Sequence, residues 1–216
     1  MPRTSVRLLL GSLLVILVVA CQKTDKTPPV VVVLEPEYRV PLGQPYQEKG
    51  ALGTDKEDGV LDTTDVIVDA SRVRTDSVGE YPVYYYISDA AGNEDSATRI
   101  VAVYARTLDY TGTWSVRDSC DTILISYAAT AVLDPLDSTR VALSNWRNRG
   151  SDYKAHWQIL GRLGNSITMN DTLPDFTYVG NTILTSGTTS RFAFDLPFDQ
   201  IDSVSFQSCV SQFRKP

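Results

Sequence analysis

Hydrophobic and polar residues in this chain alternate with a period of two, the pattern of strands with one buried face. In Gly79–Asp89, Tyr81, Val83, Tyr85 and Ile87 share one face and Tyr84 and Tyr86 the other. Ala155, Trp157 and Ile159 alternate in the same way with Lys154, His156 and Gln158. Val30–Leu34 is an unbroken β-branched run of the kind found in a buried strand. Pro36, Pro41 and Pro45 then divide the chain into short edge pieces. The turns are Thr54–Gly59, Ala90-Ala91-Gly92-Asn93 and Gly161–Asn165. Further strands are expected at Val66–Asp69 and Ala97–Val103, then near Ile125–Val132, Arg140–Trp146, Tyr153–Leu160, Ser166–Met169, Thr182–Leu184, Arg191–Leu196 and Ser203–Cys209. Long helical patterns are missing, so the fold class is all-β. One segment departs from the alternation, the 13-residue apolar run Leu8–Ala20. A membrane-spanning helix needs roughly 20 apolar residues, so this run is too short to cross.

The strands divide into two modules, 30–106 and 107–216. In the first, Asp55-x-x-Asp58-Gly59, Gly79-x-Tyr81-x-Val83-x-Tyr85, Asp89-x-x-Gly92-Asn93 and Val101-x-Val103 follow in order. This series resembles a bacterial immunoglobulin-like family, the repeat found in many surface proteins and in a pesticidal crystal toxin, related in style to HYR domains. The resemblance implies an Ig-like β-sandwich that serves as a spacer or adhesion unit, and it carries over no catalytic residues. The second module reads as an antiparallel meander, curled or closed into a barrel. Its Gly112-x-Trp114-x-Val116-x-Asp118-x-Cys120, Tyr127, Val141-x-Leu143-x-Asn145-Trp146, Ser186-Gly187 and late Cys209 are similar to a C-terminal module of Bacteroidetes lipoproteins. That likeness implies a compact, lipocalin-like β fold.

Arg3 and Arg7 precede the apolar run, and no acidic residue occurs in the first twenty positions. Residues 1–20 therefore read as a secretory signal peptide. Cys21 after Leu17-Val18-Val19-Ala20 looks like a bacterial lipobox, which implies cleavage before Cys21 and its lipidation. Residues 21–29 become a lipidated tether ending in Pro28-Pro29. The expected address is the outer membrane, on its cell-surface or periplasmic face. Removing the signal takes the net charge from −6 to −8. With no basic cluster, nucleic acid is not an expected partner. Cys120 and Cys209 remain as an even pair, which in an oxidising compartment is expected to form a disulfide.

The chemistry of catalysis is hard to assemble from this composition. The chain has one histidine, His156, and no Gly-x-Ser-x-Gly elbow. Its carboxylates concentrate in turns, so the expectation is no enzyme. No cofactor is expected either. Calcium is the ion to consider, because Asp55, Glu57 and Asp58 could converge with Asp89, Asn93, Glu94 and Asp95 if their loops share one end of the sandwich. Turn formation accounts for the same residues. Candidate ligand platforms are Tyr84 with Tyr86, and Trp146 with Asn145, Arg147 and Asn148, since exposed rings beside planar polar groups suit sugars. Packing competes with binding at both places: the tyrosine face could cover the second module, and Trp146 could lie in a core. The expected role is a non-enzymatic envelope lipoprotein, an Ig-like spacer presenting a β module to glycan or protein. The alternatives are a structural component of an envelope complex and a carrier of a small apolar ligand.

Overall fold

The computed structural model describes residues 25–215, so the apolar run and Cys21 lie outside the described residues. The first module is a sandwich of two sheets. One contains β1 (Val30–Val33), β3 (Ala51–Asp55) and β4 (Gly59–Leu61), in the order β1-β3-β4. The other contains β2 (Glu37–Pro41), β5 (Ile67–Asp69), β6 (Gly79–Ser88) and β7 (Glu94–Tyr104), in the order β2-β7-β6-β5, with β2 parallel to β7. Alternation sets the faces: Val83, Tyr85 and Ile87 point into the core, as do Ala51 and Gly53 from the opposite sheet. The sheets approach so closely at Gly53 that a Cβ there would collide with Ile87 Cδ1, which explains the glycine.

The second module is a closed antiparallel barrel. Its strands are β8 (Gly112–Cys120), β9 (Ile123–Leu133), β10 (Arg140–Ser144), β11 (Ala155–Leu160), β12 (Ser166–Thr172), β13 (Thr177–Ile183), β15 (Arg191–Ile201) and β16 (Phe206–Lys215). Each pairs with the next, β13 pairs with β15, and β16 returns to β8, so eight strands close the ring. The short β14 (Ser186–Thr188) pairs with β15 outside that ring. Eight strands leave an interior just wide enough for side chains. Here Trp114, Trp157, Phe194 and Phe213 fill it, with ring centroids 4.8–6.2 Å apart and each ring fully buried. These rings occupy the space in which a carrier would hold an apolar ligand.

The modules meet through backbone hydrogen bonds: Ala105 N to Leu163 O (2.9 Å), Val78 N to Gly187 O (2.8 Å) and Thr189 N to Asp76 O (2.9 Å). Gly164, at φ +59°, presses directly on Ala105 O, and Tyr110 donates to Gly164 O (2.7 Å). These contacts lie at the Gly79 end of β6. The tether enters at the other end, where Asn93 Nδ2 donates to Thr27 O (3.3 Å). A ten-residue strand spans about 30 Å, so the sandwich separates tether from barrel by about that length.

Candidate functional site

On the outer face of β6, Tyr84 and Tyr86 lie two residues apart, with ring centroids 6.5 Å apart and planes 28° from parallel. Tyr86 is 45% exposed and Tyr84 half-buried. The Arg72 guanidinium sits 5.4 Å from the Tyr84 ring and donates to its hydroxyl (3.3 Å). Cross-strand register places Ile67 and Asp69 beside the pair on β5, and Ser96 and Thr98 on β7. The second module meets this sheet at its opposite end, where Arg162 pairs with Glu37 and Glu80 and its carbonyl accepts from Arg39 (2.6 Å). The tyrosine pair is therefore left facing outward.

The Asn145–Trp146 platform is corrected. Trp146 is fully buried, stacked on Phe213 (6.2 Å, 8°) and packed against Phe198 and Tyr178. The strand expected to reach Trp146 ends at Ser144. Asn145, Arg147 and Asn148 all have φ near +60°, and this coiled segment turns the indole into the barrel. The Asn145 side chain is occupied as well, donating to Ala128 O (2.8 Å) and accepting from Gly150 N (2.8 Å). Arg147 reaches inward too, 2.8 Å from Cys120 Sγ and 3.5 Å from buried Asp118. Burial pushes the Asp118 carboxyl above the usual range, against the opposing effects of Ser211, Arg147 and Tyr127. The Cys120–Cys209 disulfide joins directly opposed residues of β8 and β16, with Cα atoms 4.4 Å apart.

The calcium candidates divide. Asp58 Oδ2 accepts from Ala90 N (3.0 Å), and Asn93 uses its side-chain amide to donate to Asp89 Oδ2 (2.7 Å). Asp58 thus serves the β6–β7 loop backbone, and the Asn93 amide holds Asp89 and the tether carbonyl of Thr27. Asp95 accepts from Val31 N (2.9 Å). Asp55 and Asp89 do converge, and their partner is Asp25 of the tether, in place of Asp58 and Asn93: one oxygen from each lies within 4.8 Å of the others. Carboxylates this close repel one another unless positive charge lies between them. His156, half-buried on the outside of the barrel, pairs with Asp171 (3.0 Å). Sequence reasoning also missed Arg99, fully buried in the sandwich and held by Glu48 (2.6 Å), Tyr46 (2.8 Å) and Gly50 O (3.0 Å). Its place on an inward-facing position of β7 was the available signal.

No curated protein matches the chain. Among solved structures it is similar to the lipoprotein BT2262 from Bacteroides thetaiotaomicron, at 14% identity over 85% of this chain and 98% of that one, TM-score 0.32. It is also similar to a Clostridium perfringens ZmpB structure described as CBM51-2 in complex with GlcNAc and INT domains, at 15% identity over 87% of this chain and 44% of that one, TM-score 0.31. At these scores both likenesses are loose. Residues 35–103 match the family described as bacterial surface protein, Ig-like domain. The first module is thus similar to the Ig-like domains of bacterial surface proteins, which fits a place in the cell envelope.

Proposed function

We propose that this chain is a non-enzymatic lipoprotein, anchored to the outer membrane by lipid on Cys21, whose sandwich binds a saccharide on its outer face. The observation that carries this reading is the outward-facing Tyr84–Tyr86 pair with Arg72 beside it. The CH face of a pyranose stacks on such rings because the apolar area on each side leaves water. Arg72, Asp69, Ser96 and Thr98 are polar groups on or beside the same face that can meet ring hydroxyls. Arg72 also holds the Tyr84 ring, so part of the platform is ordered before a ligand arrives. The test is a glycan array on the chain from Gln22 onward, with Tyr84→Ala and Tyr86→Ala variants alongside. Binding that both variants lose supports the reading, whereas binding they retain rejects the platform.

A second reading, docking to an envelope protein, has its own observation. At the barrel rim farthest from the sandwich, Ile123, Leu124, Val204 and Phe206 are all exposed around the β8–β9 and β15–β16 turns. Apolar groups gathered at one rim are a feature of contact surfaces. In this reading the sandwich is the spacer and the barrel tip the contact.

A further inference from the structure

Asp55 and Asp89 come from opposite sheets of the sandwich, and each continues the inward-facing register of its strand. In β3 that register is Ala51, Gly53, Asp55; in β6 it is Val83, Tyr85, Ile87, then Asp89 just beyond the strand. Two strands whose inner positions are otherwise apolar thus end in carboxylates at the same mouth of the sandwich. Asp55 is 9% exposed and Asp89 7%. Asp25 closes the triangle from the tether, with one oxygen from each of the three residues within 4.8 Å of the others.

Hydrogen bonding accounts for only part of this group. Asp55 Oδ1 accepts from Glu57 N (2.7 Å) and Asp58 N (2.8 Å), which shapes the β3–β4 turn. Asp25 Oδ1 accepts from Thr27 N (2.8 Å), and Asp89 accepts from Asn93 N (2.8 Å) and Asn93 Nδ2 (2.7 Å). Asp55 Oδ2 and Asp25 Oδ2 are both buried and accept no hydrogen bond from any described residue. Buried carboxylate oxygens are normally paired with a donor or a cation. No Lys, Arg or His of the described residues makes an ion pair with any of the three. The geometry therefore calls for positive charge at the centre of the group.

We infer that Asp25, Asp55 and Asp89 bind a calcium ion that clamps the tether to the end of the sandwich. The donors are all hard oxygens, which suit calcium with its six to eight oxygen ligands and irregular geometry; water completes the set. Magnesium demands near-octahedral geometry and gives up its water reluctantly, so it binds this site less well. The ion joins three separate pieces of chain: the tether, the β3–β4 turn and the β6–β7 turn. With calcium bound, the direction in which the sandwich leaves residue 25 is fixed; without it, the three carboxylates repel and the tether swings. This site is independent of the tyrosine face, and either can fail without the other.

The test uses the chain from Gln22 to Pro216, stripped with EDTA and titrated with CaCl2 and with MgCl2 by calorimetry. The expected result is one calcium per chain, bound more tightly than about 10⁻³ M, the weak limit for extracellular modules, with magnesium at least about tenfold weaker. Asp25→Asn lies outside every strand and leaves the fold intact, and Asp55→Asn keeps the Oδ1 acceptor of its turn. Each weakens calcium binding at least about tenfold, as loss of a charged ligand requires. Calcium also slows tryptic cleavage after Lys26, an exposed residue next to Asp25. Absence of calcium binding in the native chain overturns the inference. So does binding that both Asn variants retain unchanged, and so does a cleavage rate at Lys26 indifferent to saturating calcium.

Discussion

One partly exposed carboxylate organises the polar group around buried Arg99 in the sandwich. Glu48 accepts from Tyr46 (2.6 Å), Tyr85 (2.7 Å), Gly50 N (2.6 Å) and Arg99 (2.6 Å). Burial alone would raise its carboxyl, but these donors outweigh burial and hold it at about 2, below its ordinary 4.5. The folded value is the lower one, so the stabilisation is complete above pH 4.5 and is lost as the pH falls towards 2. Denaturant unfolding at a series of pH values is expected to show this decline. Glu48→Gln flattens that part of the profile and costs at most about 1.5–3 kcal/mol at neutral pH, the range for a hydrogen bond to a charged group, because solvent screens this one-third-exposed carboxylate. At the two aromatic candidates the sequence was legible to different degrees. Tyr84 and Tyr86 lie within a regular strand, where alternation alone places them opposite buried Tyr85. Trp146 follows the end of a strand, and three positive-φ residues that no periodicity announces decide where its ring goes. Trp146→Ala is accordingly expected to destabilise the barrel by about 3–5 kcal/mol in denaturant unfolding, as for a large core ring.

At the scale of elements, the barrel depends on two seams. One is β16 against β8, where the disulfide joins opposed residues 89 positions apart in sequence. Closing so long a loop restricts the unfolded chain, so Cys120→Ala/Cys209→Ala is expected to lose about 2–5 kcal/mol, measured by chemical unfolding. The other is β13 against β15, where Gly180 stands opposite Phe198. A Cβ at 180 would lie 2.5 Å from Pro197 O and 2.9 Å from Phe198 Cβ. Gly180→Ala therefore forces the strands apart and is expected to cost about 1–3 kcal/mol in the same assay, the range for overpacking. The first seam could be anticipated from the cysteines, because a bond between the first and last strands closes a curled sheet. The second could not, since a strand pairing that skips β14 is long-range and leaves no local pattern. The ends of β13, β15 and β16 also run beyond the strands expected from sequence, because pairing partners extend them past their own hydrophobic alternation.

For the whole molecule, the decisive feature is the order along its length: tether at one end of the sandwich, barrel docked at the other. The acidic group and the tyrosine pair both belong to the half of the sandwich away from the barrel. Two modules could be read from the sequence, but their docking could not, because it rests on loop backbone atoms and on the isolated loop side chain of Arg162, which no periodic pattern announces. Gly164 is the tightest point, and its positive φ together with the approach of Ala105 O leaves no room for a Cβ. Gly164→Ala is expected to loosen the joint and to speed tryptic cleavage after Arg106, an exposed residue between the modules; an unchanged rate would show that the joint tolerates the substitution. The central claim is that the outward face of the sandwich binds saccharide. Its most direct test is the glycan array on the chain from Gln22, native beside the Tyr84→Ala/Tyr86→Ala double variant. The account predicts a defined set of glycans bound by the native chain and lost by a variant that unfolds at the same temperature; a native chain that binds none, or a variant that binds them equally, contradicts it.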